Sequence, residues 1–140
     1  MGDRKFRLGL VVGTFHTKET AIMRKAAEER AAELGLEIVA RADVPGSYEA
    51  PLAVKRQIVR DDIDAVVVLG IIERGETGHG RVMGEAVGAA LVKMQLDFMK
   101  PIGIGIIGPE AEPHHFPPRL VPHAKAAVSA AAVMLGLIPA

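Results

Sequence analysis

Four short apolar runs rich in β-branched residues recur along the chain, and they limit what it can fold into more than any other feature. They are FRLGLVVG (6–13), LEIVARADV (36–44), DAVVVLGII (64–72) and PIGIGIIG (101–108). A strand that reads as a near-continuous apolar run is buried on both faces, as in a parallel sheet. Helical periodicity fills the intervals, over 18–34, 49–60 and 81–99, and an Ala-rich helix is expected over about 122–137. In the first of these, Ala21, Ile22, Ala26, Ala27 and Leu34 fall on one side, with Glu and Arg opposite. Strands alternating with helices form βαβ units joined by right-handed crossovers. The expected architecture is a three-layer α/β/α sandwich around a parallel sheet of at least four strands. At 140 residues, with no linker, repeat or low-complexity tract, 1–140 is expected to be one domain. EPHHFPPRLVP (112–122) reads as a stiff surface loop within it.

Composition narrows the function classes. Lys+Arg and Asp+Glu both number 17, so the chain has no charge footprint for nucleic acid or an anionic membrane. A formal net charge of zero favours self-association, which leans the reading towards an oligomer. The absence of cysteine excludes a disulfide scaffold, a thiolate metal site and a Cys nucleophile. The opening MGDRKFRLGLVVG enters a strand directly, without the apolar core and cleavage site of a signal peptide. No apolar stretch reaches the roughly 18 residues that a membrane helix needs. A cytoplasmic protein is expected. Aromatics are only 4% of the chain, so an aromatic in a loop (Phe15, Tyr48) invites a role.

In open parallel sheets ligands bind beyond the carboxyl ends of the strands. That rule nominates the loops 14–18, 44–49, 73–80 and 109–119. The chemically unusual residues gather in those same loops: Phe15, His16, Tyr48, Glu73, Arg74, His79, His114, His115 and Arg119.

Two nucleotide patterns occur, and context defeats both. GIGIIG (103–108) matches G-x-G-x-x-G, but its glycines lie within a strand, Pro109 follows, and too little chain remains for a second βαβ half. GIIERGET (70–77) has P-loop spacing, yet Glu76 stands where lysine is required, and a carboxylate has the wrong sign for a triphosphate. A single-phosphate site survives that loss. The backbone amides of Gly75, Glu76 and Thr77, with the Thr77 hydroxyl, would hold one phosphate at the start of the next helix. Gly75, Gly78 and Gly80 would let the backbone turn tightly. His79 follows, an imidazole that can both give and take a proton and so is suited to proton transfer. A plain helix-capping turn, with Thr77 as the cap and His79 solvated, is the competing reading of the same residues. His114, His115 and His123 lack the spacing of a tetrahedral metal site with supporting carboxylates, so no metal is expected.

Taken in order, Phe15 after the first strand, VPGSYE (44–49), LGIIERGETGH (69–79), a Pro-led fourth strand, and then Arg119 and Lys125 together resemble the 6,7-dimethyl-8-ribityllumazine synthases. The resemblance covers almost the whole chain and implies a flavodoxin-like fold. It implies condensation of 5-amino-6-ribitylaminouracil with 3,4-dihydroxy-2-butanone 4-phosphate, both small-molecule substrates, with release of phosphate and water. No cofactor or metal is implied, and no nucleic-acid or membrane partner. Phe15 would stack on the pyrimidine. Ser47, Tyr48 and Glu49 would hold the ribityl chain and ring edge, and Ile72 would touch the pyrimidine. Gly75, Glu76 and Thr77 would cradle the phosphate, His79 would move protons, and Arg119 of a neighbouring subunit would pair with the phosphate. Lys125 falls near a second basic position.

The resemblance also implies a pentamer with shared active sites, in some members built into larger assemblies, with residues before the first strand adding to a neighbour's sheet. Here 1–5 precede that strand, and the short ends resemble archaeal-type members. Glu73 stands where an aliphatic residue is usual, Ile104 replaces an interfacial aromatic, and Val128 occupies the place of an acidic partner to Lys125. Glu73 would either tune substrate choice or pair with Arg74 or another nearby base. Two other functions fit the same fold. One is a riboflavin synthase of the archaeal type, which the phosphate cradle argues against. The other is a non-catalytic lumazine- or flavin-binding or shell protein.

Overall fold

A computed structural model of the protein describes residues 5–140. The role suggested for the residues before the first strand lies almost entirely outside them. Four strands, β1 (Arg7–Gly13), β2 (Glu37–Val44), β3 (Ala65–Glu73) and β4 (Ile102–Ala111), alternate with four helices. The helices are α1 (Thr17–Glu33), α2 (Ala50–Ile58), α3 (His79–Phe98) and α4 (Leu120–Met134). All strand pairings are parallel, in the order β2-β1-β3-β4. The flavodoxin-like three-layer sandwich is therefore the observed fold.

The period of two in β3 explains the layers. Ala65, Val67, Leu69 and Ile71 face a core completed by α1 (Met23, Ala26, Ala27, Ala31) and α4 (Leu120, Ala124, Ala127, Val128). Val66 and Val68 face the opposite core, completed by α2 (Ala53, Val54, Ile58) and α3 (Val87, Leu91, Met94). Every residue of β3 from Ala65 to Ile72 is buried. At about 1.5–3 kcal/mol for each fully buried Val, Leu or Ile side chain, this strand is a major source of stability. At the edge of the sheet β2 is only partly covered, and there Arg41 bonds to Glu28 of α1 at 3.0 Å.

The structure also shows what the glycines of GIGIIG do. A Cβ at Gly103 would stand 2.1 Å from the carbonyl oxygen of Ala127, and one at Gly105 would stand 2.7 Å from Leu69. Together with the small residues Ala124, Ala127 and Ala131, they let α4 lie almost on the backbone of β4. The motif is a packing device.

Several boundaries differ from expectation. β4 runs through Pro109 to Ala111 rather than ending at 108, because Glu73 and Ala111 extend the ladder past a register shift. The stretch 112–122 is two 3-10 turns, Pro113–His115 and Pro117–Arg119, and then the start of α4 at Leu120. Phe116, between those turns, is buried in the core, so the segment is anchored rather than a simple surface loop. In α1 the buried set is Thr20, Met23, Ala26, Ala27 and Ala31, whereas Ala21 and Ile22 are exposed. Alanine-rich helices leave the choice of face to the packing partner, here α4.

Gly103→Ala is expected to cost about 2 kcal/mol or more, because the new methyl meets backbone that can relax only by moving α4. A chemical-denaturation midpoint equal to that of the parent would contradict this account of α4 packing.

Candidate active site

In the order β2-β1-β3-β4 the chain leaves β1 towards one edge and returns to pair β3 on the other side of β1, so the crevice opens at the carboxyl ends of β1 and β3. A cleft of about 460 Å³ lies there. Its walls come from three of the four nominated loops: Phe15 and His16, then Gly46 to Glu49, then Ile72, Glu73, Gly75, Thr77 and His79.

Each wall is fixed by its neighbours. The Thr14 amide and hydroxyl both donate to the Val44 carbonyl, at 2.8 and 3.0 Å, which ties the end of β1 to the end of β2. The Thr17 hydroxyl donates to the Thr14 carbonyl at 2.8 Å and closes the turn that carries Phe15 and His16. Phe15 is 79% exposed, an aromatic face presented to the cleft without burial in the core. Ser47 is buried in a short 3-10 turn, Ser47–Glu49, and beside it the exposed Tyr48 ring meets His79 edge-on at 5.8 Å between centroids.

The segment expected to cradle an anion follows β3. Arg74 donates its amide to the Ala111 carbonyl at 2.7 Å, the last ladder bond, and beyond it the chain is exposed until α3 begins at His79. Among the described residues, the amides of Gly75, Glu76 and Thr77 have no hydrogen-bond acceptor in the protein. Free amides just before a helix N-terminus suit one anion. The capping reading holds in part: the His79 amide donates to the Thr77 hydroxyl at 3.3 Å, while Gly78 at the N-cap position makes no side-chain bond. Of the three glycines, only Gly80 is required sterically, since a Cβ there would stand 2.7 Å from the Glu73 carbonyl oxygen. Gly75 has open space around it, and neither it nor Gly78 adopts a positive φ, which corrects the tight-turn reading.

Three expected residues lie elsewhere on the chain. Ile104 lines a separate apolar depression with Ala126 and Ala130 of α4. Arg119 bounds another hollow with Glu110, His115 and His123, and its guanidinium donates to the His115 carbonyl at 3.0 Å. Lys125, half-buried on α4, does not line the cleft. Glu76 is exposed beside the cradle without lining the cleft.

The His114–His115 segment brings a carboxylate with it: Glu112, His114 and His115 place ligand-type atoms within 4.8 Å of one another. However, His115 accepts the Glu112 amide through Nδ1 at 2.9 Å, which leaves the proton of the neutral ring on Nε2. The ring thus has no lone pair for a cation unless that cap is broken.

Sequence reasoning assigned no role to His16, although it lies in a nominated loop. Its ring is held edge-on between Phe15 (5.1 Å) and Phe116 (5.3 Å), and its Nε2 lies 3.4 Å from Oε1 of Glu73. The signal available was its place beside Phe15, but the approach to Glu73 depends on β1 and β3 being neighbours. Arg74, the nearest base in sequence, turns instead to Glu110 (3.5 Å) and Glu112 (3.9 Å).

A flavodoxin-like sheet places an aromatic, a run of backbone amides without acceptors among the described residues and a histidine at its switch point, where open α/β folds bind small molecules. Residues 5–138 match the family model of 6,7-dimethyl-8-ribityllumazine synthase. Similar proteins, all named 6,7-dimethyl-8-ribityllumazine synthase, include one from Metallosphaera sedula, 40% identical over 96% of this chain and 89% of its own length. Another, from Methanopyrus kandleri, is 40% identical over 94% of this chain and 92% of its own. A third, from Staphylothermus marinus, is 38% identical over 92% and 86%. The chain belongs to the 6,7-dimethyl-8-ribityllumazine synthase family, and with that family it is a transferase of riboflavin biosynthesis.

Gly80→Ala is expected to destabilise the fold by about 1–3 kcal/mol through its clash with β3, whereas Gly75→Ala should stay within about 0.5 kcal/mol. Thermal melts of the two variants compare them directly, and equal losses would contradict the placement of the turn.

Proposed function

We propose that this chain condenses 5-amino-6-ribitylaminouracil with 3,4-dihydroxy-2-butanone 4-phosphate to 6,7-dimethyl-8-ribityllumazine, as a cytoplasmic enzyme whose residues 1–140 act as one domain. The observation that carries the reading is the convergence of Phe15, Tyr48, Gly75, Thr77 and His79 on one cleft in a member of this family, with the amides of 75–77 without acceptors among the described residues.

The chemistry suits these groups. Amine attack on the ketone, loss of phosphate and ring closure each require proton transfers, and His79 beside the cradle supplies a group that can give and take a proton. The amides of Gly75, Glu76 and Thr77 would stabilise the departing phosphate as charge develops on it. Phe15 would stack on the pyrimidine and Ile72 would contact it, while Ser47, Tyr48 and Glu49 would hold the ribityl chain. Holding two reactants side by side removes much of the entropic barrier, so few charged catalysts are needed.

We read the active unit as a pentamer with sites completed by a neighbour. Arg119 and Ile104 belong to surfaces away from their own chain's cleft, which fits contribution across an interface. Large exposed apolar side chains, among them Leu52, Val82, Leu96, Met99 and Met134, support association. Arg119 would pair bidentately with the phosphate, and Lys125 would add positive charge nearby.

Mixing the protein with both substrates and following lumazine fluorescence tests the reading. Turnover is expected, and no product above the uncatalysed rate would overturn it. Riboflavin formed from lumazine alone would assign a different reaction, and lumazine binding without turnover would assign a carrier. In the same assay His79→Ala should lower kcat about 10-fold or more, within the usual span of general acid–base catalysis. Arg119→Ala should raise KM for the butanone phosphate about 10-fold, the loss expected for a charged hydrogen bond. An unchanged KM would remove Arg119 from the phosphate site.

A further inference from the structure

We propose that Glu73, set beside His16, is the hydrogen-bond acceptor for the neutral, donor-rich amine substrate and keeps the phosphorylated substrate out of its end of the cleft. The inference rests on the reading of the cleft given above and adds two residues to it.

The Glu73 side chain projects from the last paired position of β3 and lies beside His16. The Glu73 backbone pairs with Ala111 at the end of the ladder, and the Arg74 amide bond to Ala111 follows directly. Its Oε1 faces Nε2 of His16 at 3.4 Å. The His16 side chain is only 16% exposed, is clasped by Phe15 and Phe116, and makes no capping bond to α1. Its Nε2 is buried and has no hydrogen-bond partner among the described residues, and the carboxylate is the polar group it faces. The neighbouring guanidinium, Arg74, is occupied by Glu110 and Glu112 and does not neutralise Glu73.

Glu73 itself lines the cleft and its side chain is 40% exposed, and among the described residues that side chain makes no hydrogen bond. A carboxylate offers acceptors only, so it selects N–H and O–H donors. The ring N–H groups, the amine and the ribityl hydroxyls of the pyrimidine substrate supply these in number. A phosphate dianion supplies none, and its charge has the same sign. Two residues further on, the chain changes character to the free amides of 75–77, which favour an anion. The cleft is thereby polarised over a few residues, with an acceptor beside a set of donors, and each substrate has one end to which its charge is suited. His16 acts through Glu73 and is a positioning residue.

The test is steady-state kinetics with each substrate varied in turn, together with equilibrium binding of 5-amino-6-ribitylaminouracil, on the intact protein. Glu73→Gln keeps the shape and removes the charge. It should raise KM and the dissociation constant for the pyrimidine about 10-fold, as for weakening a charged hydrogen bond, and leave KM for the butanone phosphate unchanged or lower. His16→Asn should shift the same constants in the same direction by about 3-fold. In the double variant the pyrimidine constants should equal those of Glu73→Gln alone, since His16 acts only through the carboxylate. An unchanged pyrimidine dissociation constant in Glu73→Gln, or an equal rise in both KM values, would overturn the proposal. If Glu73→Gln does not fold, His16→Asn decides, and an unchanged pyrimidine constant in it rejects the pair. Absence of turnover in the parent would sink the reaction assigned above, while the binding comparison would still judge Glu73.

Discussion

The parallel pairing of β1 with β3 is the contact on which the rest depends. It is buried on both faces, with Leu8 to Val12 set against Ala65 to Leu69, and it joins two segments more than fifty residues apart. Because β2 and β4 lie on opposite sides of this pair, the loops after β1 and β3 are not crossed by a connection and leave a crevice. Phe15, His16, Glu73 and His79 owe their proximity to that one ladder. Loss of register by a single residue would turn every side chain of β3 to the other core and dismantle the cleft with it.

The cleft is lined mostly by aromatic and aliphatic side chains, with a few polar groups set among them. Backbone donors at 75–77 invite one anion, the carboxylate of Glu73 stands a short way back along the chain, and the Tyr48 and His79 rings meet edge-on between the other walls. Under the proposed reaction, such an arrangement would sort a phosphorylated sugar fragment from a polyhydroxylated amine without many charged side chains. Arg119 and Lys125, the cationic groups of the proposed phosphate site, are set on the β4–α4 side of the fold. That division suits an enzyme whose sites are completed by copies of itself.

The strands, the helices and most of the cleft were legible because their signals are local. Apolar runs such as 64–72 are dictated by burial on two faces, and the turn residues of VPGSYE and ERGETGH carry their own backbone preferences. Other features had no local signal. Whether α1 buries Ile22 or Met23 depends on where α4 lies, and α4 can approach only because Gly103 and Gly105 leave room for it. The continuation of β4 through Pro109 depends on β3 offering a partner at Glu73. Phe116 reads as part of a Pro-stiffened loop until the core beneath it is seen.

The sequence by itself determined the class of fold and the family, and nominated candidate groups for the chemistry. Those follow from residue type and spacing, which fix period, turn and charge. Tertiary structure alone decided which of those groups meet. It set His16 beside Glu73, turned Arg74 away towards Glu110 and Glu112, and left Arg119 and Ile104 outside their own cleft. The reason is physical: a contact between side chains on different strands depends on strand order and register, and these arise from the packing of the whole sheet rather than from any stretch of it.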